Sequence, residues 1–134
     1  SDGEYIAAAS ADGKIYVFNK DSSTPLWSYE TGDDAYGISI SADGEYITAG
    51  STDDKIYLFD KDSSTPIWSY ETDDDVSSVS ISADGEYIIA GSKDSKGYLF
   101  EKTAVHLSGF TLQTDLCQEW PIVLNFRQME NTLV

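Results

Sequence analysis

The chain has 134 residues, 24 acidic against 8 basic, giving a net charge of −16 and a pI near 4.1. A field of that sign repels phosphate backbones and anionic bilayers, so neither nucleic acid nor a membrane surface is expected as a partner. Cys117 is the only cysteine, which rules out an intrachain disulfide and leaves the compartment unread.

The elements in chain order turn out to be one unit repeated. The opening string SDGEYIAAAS (1–10) returns as SADGEYITAGS (41–51) and SADGEYIIAGS (82–92). KIYVFNKDSSTPLWSYET (14–31) returns as KIYLFDKDSSTPIWSYET (55–72). Asp2, Asp43 and Asp84 are evenly spaced, as are Trp27 and Trp68, so the period is about 41 residues. Copies this similar point to recent duplication or deliberate design. No apolar run is long enough to span a membrane. The start at Ser1, with no signal peptide, is that of a processed product or a fragment.

Each unit holds four short β-prone runs divided by turn formers. In the middle copy these are AYGISIS (35–41), EYITAGS (45–51), KIYLFD (55–60) and PIWSYET (66–72). The link at 42–44 is a hairpin signal, because Gly44 can adopt the positive φ of a type I′ or bulged turn. Thr52-Asp53-Asp54 makes a second turn, and Asp62-Ser63-Ser64 before Pro66 a third. Pro66 is expected to open an outer edge strand, where an N–H can be spared. The inner runs are apolar on both faces: Ile47 and Ala49 beside Tyr46 and Gly50, then Tyr57 and Phe59 beside Ile56 and Leu58. Two buried faces require sheets stacked on each other, since one blade alone cannot cover both.

At this point S-A-D-G-E-Y-I-x-A-G-S-x-D-x-K-I-Y-L-F-D resembles the centre of a WD40 repeat, with Phe59-Asp60 where that family has Trp-Asp. Leu58-Phe59-Asp60 through Ile67-Trp68 is similar to quinoprotein (PQQ-like) repeats, in which a Trp packs between blades. The resemblance covers residues 1 to about 101 and implies an all-β partial β-propeller. About two and a half to three four-stranded antiparallel blades are expected, with an irregular C-terminal extension at 102–134. The Gly-His pair that opens many WD40 repeats is absent, so that family's His–Ser–Asp–Trp network cannot be complete. Ser10, Ser51 and Ser92 with Asp12, Asp53 and Asp94 supply only its Ser–Asp part. They read as structural turn residues, as do Asp2, Asp43 and Asp84. Trp27, Trp68, Phe18, Phe59 and Phe100 are expected to pack between blades.

After Lys102 the composition changes abruptly. Residues 1–102 lack Arg, Gln, His, Cys and Met, whereas the tail contains all five. Read from each third codon base, residues 102–111 permit Asp-Ser-Ser-Thr-Pro-Leu-Trp-x-Tyr, which matches 62–70 except for Leu at the place of Ile67 and the open x at Ser69. Phe126 through Leu133 likewise permit Ser-Ala-Asp-Gly-Glu-Tyr-Ile, with the glycine forced by Met129-Glu130. The tail is therefore expected to be the next blade translated out of frame, and the gene's nucleotide sequence would test this directly. Gly97, where Ile15 and Ile56 stand in the other copies, fits a decaying last copy. The stretch 104–114 is expected to serve as an outer strand, and 121–134 as a strand or short helix.

Candidate chemistry is sparse. Asp73-Asp74-Asp75 and Asp33-Asp34 offer oxygen ligands for Ca²⁺, though not at EF-hand spacing, so at most a weak site is expected and no other cofactor. His106 and Cys117 lack partner ligands, and a single His leaves no Ser/His/Asp arrangement. No catalytic residue is assigned. The expected function is a non-catalytic scaffold for protein binding that self-associates, with two copies completing a six-bladed ring. The alternatives are a fragment of a quinoprotein-type enzyme, or an amplified or designed repeat array without a biochemical role.

Overall fold

A computed structural model describes residues 3–102, and residues 106–111 as a backbone strand. The turn expected at Asp2 and the tail readings at Cys117 and 121–134 lie outside the described residues. The described chain is all β, in three antiparallel sheets. Blade 1 contains β1 (Tyr5–Ala9), β2 (Lys14–Asn19) and β3 (Trp27–Glu30). Blade 2 contains β4 (Ala35–Ile40), β5 (Tyr46–Ser51), β6 (Lys55–Asp60) and β7 (Trp68–Glu71), paired in that order. Blade 3 contains β8 (Val76–Ile81), β9 (Tyr87–Ser92), β10 (Lys96–Glu101) and β11 (His106–Thr111).

The turns follow from local chemistry. Gly44 and Gly85 take φ of 75° and 74° in the first hairpin of blades 2 and 3. There the Asp43 carboxylate accepts hydrogen bonds from the Ser41 hydroxyl and the Glu45 N–H, and Asp84 does the same with Ser82 and Glu86. The second hairpin places Gly13, Asp54 and Ser95 at φ of 81°, 70° and 68°, so two non-glycine residues occupy a left-handed position. Pro66 precedes its strand rather than opening it. β7 begins at Trp68, and Ile67 N–H donates to the Leu58 carbonyl at 2.7 Å to start the ladder.

Cross-strand register sorts each sheet into two faces. In blade 2, Ile47 pairs with Phe59 and Ala49 with Tyr57, so these four share the face turned to blade 1. Ile56, Leu58, Trp68 and Tyr70 share the other face and meet blade 3. Two apolar layers result. One joins Ile15, Val17, Trp27 and Tyr29 to Ile47, Ala49, Tyr57 and Phe59. The next joins Ile56, Leu58, Trp68 and Tyr70 to Ile88, Ala90, Tyr98 and Phe100.

The fourth strand of blade 3 comes from the tail, inside the stretch expected as an outer strand. It pairs with β10 so that Ser108 lies opposite Leu99, the place Trp68 holds opposite Leu58, with a register shift between Leu99 and Phe100. Ile89 and Leu99, on the face of blade 3 turned away from blade 2, are 0% and 4% exposed.

Candidate interaction surface

The repeat builds one joint twice, and the same residues recur at each. Trp27 lies 5.3 Å from the Phe59 ring, with Tyr29 at 5.1 Å from Phe59 and 5.4 Å from Tyr57. At the next joint Trp68 lies 5.1 Å from Phe100, with Tyr70 at 5.0 Å from Phe100 and 5.7 Å from Tyr98. Such tilted and edge-on pairs add to the burial of apolar area. Each indole N–H also crosses to the following blade. Trp27 Nε1–H donates to the Lys61 carbonyl at 2.7 Å, and Trp68 Nε1–H to the Lys102 carbonyl at 2.9 Å.

The Asp of the second hairpin turn stitches the joint at its other end. Asp53 Oδ1 accepts the Lys55 N–H and closes its own turn. Its Oδ2 accepts both the Tyr57 hydroxyl and the Gly32 N–H from the loop leaving the preceding blade. Asp94 repeats this with Lys96, Tyr98 and the Asp73 N–H. Ser51 accepts the Asp53 N–H, and its hydroxyl donates to the Asp33 and Asp34 carbonyls, as Ser92 does to Asp74. The Ser–Asp pairs thus combine turn closure with a blade-to-blade clamp.

Phe18 sits differently from Phe59 and Phe100. It lies on the face of blade 1 turned away from blade 2, with Tyr16 as its ring neighbour at 6.4 Å. Ile6 on the same face is 53% exposed, whereas its counterparts Ile47 and Ile88 are 0% exposed. Among the described residues no blade precedes blade 1, so Phe18 has no Trp or Tyr to receive. Among the described strands none lies along the outer edge of β1, where β4 lies along β5.

The electrostatics follow the same pattern. Burial, and then the Asp53 carboxylate, push the Tyr57 hydroxyl well above its ordinary value, and Tyr98 is raised in the same way beside Asp94. Burial works to raise Asp94, but hydrogen bonds from Tyr98, the Asp73 N–H and the Lys96 N–H outweigh it and hold the carboxyl below its usual 3.8. The Ser41 and Ser82 hydroxyls, followed by backbone N–H groups, lower Asp43 and Asp84. Among the described residues the loops bring together Asp54, Asp74 and Asp75, whose carboxylate oxygens lie within 4.8 Å of one another. This group draws Asp74 and Asp75 together with Asp54 and leaves out Asp33 and Asp34. Burial, and then Asp75 and Asp74, raise the Asp54 carboxyl.

These opposite shifts set the pH response. Asp43, Asp84 and Asp94 stabilise the fold above the unfolded carboxyl value, and that contribution is lost as pH falls through their lowered values. Asp54 binds its proton more readily when folded, so its ionised form costs stability at neutral pH and the cost disappears on acidification. The thermal midpoint is expected to rise slightly from pH 7 toward about 5 and to drop below about 4. Asp54→Asn should flatten the rise. A midpoint falling steadily from pH 7 would contradict this.

A family model described as WD domain, G-beta repeat matches residues 1–19, 23–60 and 64–101. The chain belongs to the WD40 repeat family. No curated protein matches it. WD40 repeat domains are typically non-catalytic scaffolds for protein interaction. The matched stretches align with the joints. The second covers β3 through β6 and the third β7 through β10, whereas the first covers only β1 and β2. The first stretch therefore carries the receiving half of a WD40 joint, and no donating half faces it among the described residues.

Proposed function

We propose that this WD40 chain is a non-catalytic interaction scaffold whose partner is a second copy of itself, docked on the open side of blade 1. One observation carries the reading. Ile6, Ala8, Tyr16 and Phe18 occupy the positions that Ile47, Ala49, Tyr57 and Phe59 fill at a closed joint, yet Ile6 stands 53% exposed. An apolar face beside an unpaired strand edge favours association. Completing a six-bladed ring would take a second joint on the outer face of blade 3. There Ile89 and Leu99 are already buried, and Ser78 stands where blade 2 has Gly37, so blade 1 is the more accessible joint.

Light scattering on the purified chain tests this. Association is expected at micromolar to millimolar concentration, and Phe18→Glu should abolish it while leaving the β fold intact. A clean monomer at high concentration rejects the reading. Because each chain carries −16, self-repulsion opposes the contact, so dimerisation should strengthen as salt rises from about 0.01 to about 0.3 M and the Debye length shortens several-fold. Dimerisation that weakens with salt would point to ion pairs rather than an apolar joint.

A further inference from the structure

Blade 1 leaves open more than an apolar face: it presents the complete set of acceptors used at the two closed joints. Lys20 is the counterpart of Lys61 and Lys102, whose carbonyls take the indole N–H of Trp27 and Trp68. Among the described residues, the Lys20 carbonyl accepts nothing. Asp12 Oδ2 takes the Tyr16 hydroxyl at 2.7 Å, as Asp53 and Asp94 take Tyr57 and Tyr98. Those two carboxylates also receive a backbone N–H from the preceding loop, and among the described residues Asp12 receives none from another blade. Ser51 and Ser92 donate to carbonyls of that loop, whereas the Ser10 hydroxyl turns to the Asp12 carboxylate of its own hairpin.

Each open group is one that, at a closed joint, is satisfied by a single continuous piece of chain. Residues 68–81 supply the Trp68 indole, the Tyr70 ring, the Asp73 N–H, the Asp74 carbonyl and finally strand β8. Residues 27–40 supply the equivalents one joint earlier, with Gly32 giving the N–H and β4 the strand. We infer that blade 1 is a socket for one defined segment: a Trp-x-Tyr strand, its acidic loop and the strand that follows. The occupant is such a repeat segment carried on another chain. This rests on blade 1 being the interaction surface, and it names the element that surface selects. The mode is strand addition with specificity from pockets: the β1 edge supplies backbone pairing, Phe18 and Tyr16 form the aromatic seat, and Lys20 and Asp12 fix the register.

The test uses the full chain and a synthetic peptide of residues 68–81. Saturable binding of one peptide per chain is expected, with a downfield shift of the peptide indole N–H resonance on binding. Trp68→Phe in the peptide keeps the ring but removes the donor, and should weaken binding about tenfold. Asp12→Asn in the chain should weaken it several-fold without disturbing the fold, because its turn is exposed and Asn still closes it. The peptide should also dissociate any dimer seated on the same face. Equal binding by the Trp68→Phe peptide overturns the inference, since plain edge pairing would then suffice. No peptide binding by a chain that self-associates through Phe18 overturns the inference but leaves the scaffold reading standing. Trp-dependent binding by a chain that stays monomeric supports the socket and rejects self-association.

Discussion

Phe59→Ala is expected to destabilise the chain by about 3–5 kcal/mol, the usual cost of deleting a buried aromatic ring from a packed core. Phe18→Ala, at the same repeat position, should cost under about 1 kcal/mol. The two side chains share a strand position, flanked by Val17 and Asn19 in one copy and by Leu58 and Asp60 in the other, so the contrast reads packing more than propensity. Phe59 is 0% exposed and lies among Trp27, Tyr29 and Tyr57, whose rings remain around the vacated space after truncation. Phe18 has Tyr16 as its ring neighbour and a partly open face. Phe100→Ala should follow Phe59, since Phe100 is 1% exposed beneath Trp68 and Tyr70. A loss of this size removes a large share of the roughly 5–15 kcal/mol that holds a domain folded. Denaturant midpoints read it directly, and the slope reports whether both variants unfold the same surface. The measurement belongs at low protein concentration. A dimer seated on Phe18 would otherwise add a mass-action term to that variant alone. Equal midpoint shifts for Phe18→Ala and Phe59→Ala would refute the joint as described.

The blades were legible because the repeat states each element more than once. Runs such as KIYLFD, apolar on alternate and adjacent positions alike, can be covered only by sheets on both sides, and β6 became such a strand. The three turn types followed from Gly44, Asp53 and Pro66, whose backbone preferences are local. What was not legible depended on contacts between copies. Nothing in the string WSYE indicates that its indole reaches a lysine carbonyl 34 residues later, or that Asp53 joins one blade's turn to the preceding blade's loop. The left-handed Asp54 and Ser95 were hidden as well, although Gly13 at the same position in the first copy was a usable signal. Phe18 was expected between blades on repeat identity alone. Position in a repeat fixes which way a side chain points, but whether it is covered depends on a neighbour that the first copy lacks among the described residues.

Gly50→Ala is expected to cost about 1–3 kcal/mol, although it adds a single methyl to a strand and improves β-propensity. The reason lies in how blade 3 approaches blade 2. Gly37 and Gly50 are cross-strand partners, so β4 and β5 together leave a patch without side chains on the face turned to blade 3. Strand β8 settles into it. A Cβ on Gly50 would stand 2.5 Å from Val76 Cγ1, 3.1 Å from its Cβ and 3.2 Å from Val79 Cγ1. Val76 is 0% exposed and β-branched, so it has no free rotamer into which to retreat. The strand must shift instead, and with it the Ser39 hydroxyl that accepts the Ile81 N–H at 3.3 Å. Gly37→Ala should be harsher per added atom, because its Cβ would face the Val79 backbone nitrogen at 3.2 Å and the Ser78 Cα at 3.4 Å. Removing the obstruction should recover part of the loss. Val76→Ala destabilises by itself, yet in the Gly50→Ala background it makes room for the new methyl. The double variant should then be less destabilised than the sum of the singles by about 0.5–3 kcal/mol. Strict additivity in that cycle, measured by denaturant unfolding, would mean that the close approach at Gly50 is not what holds blade 3 against blade 2.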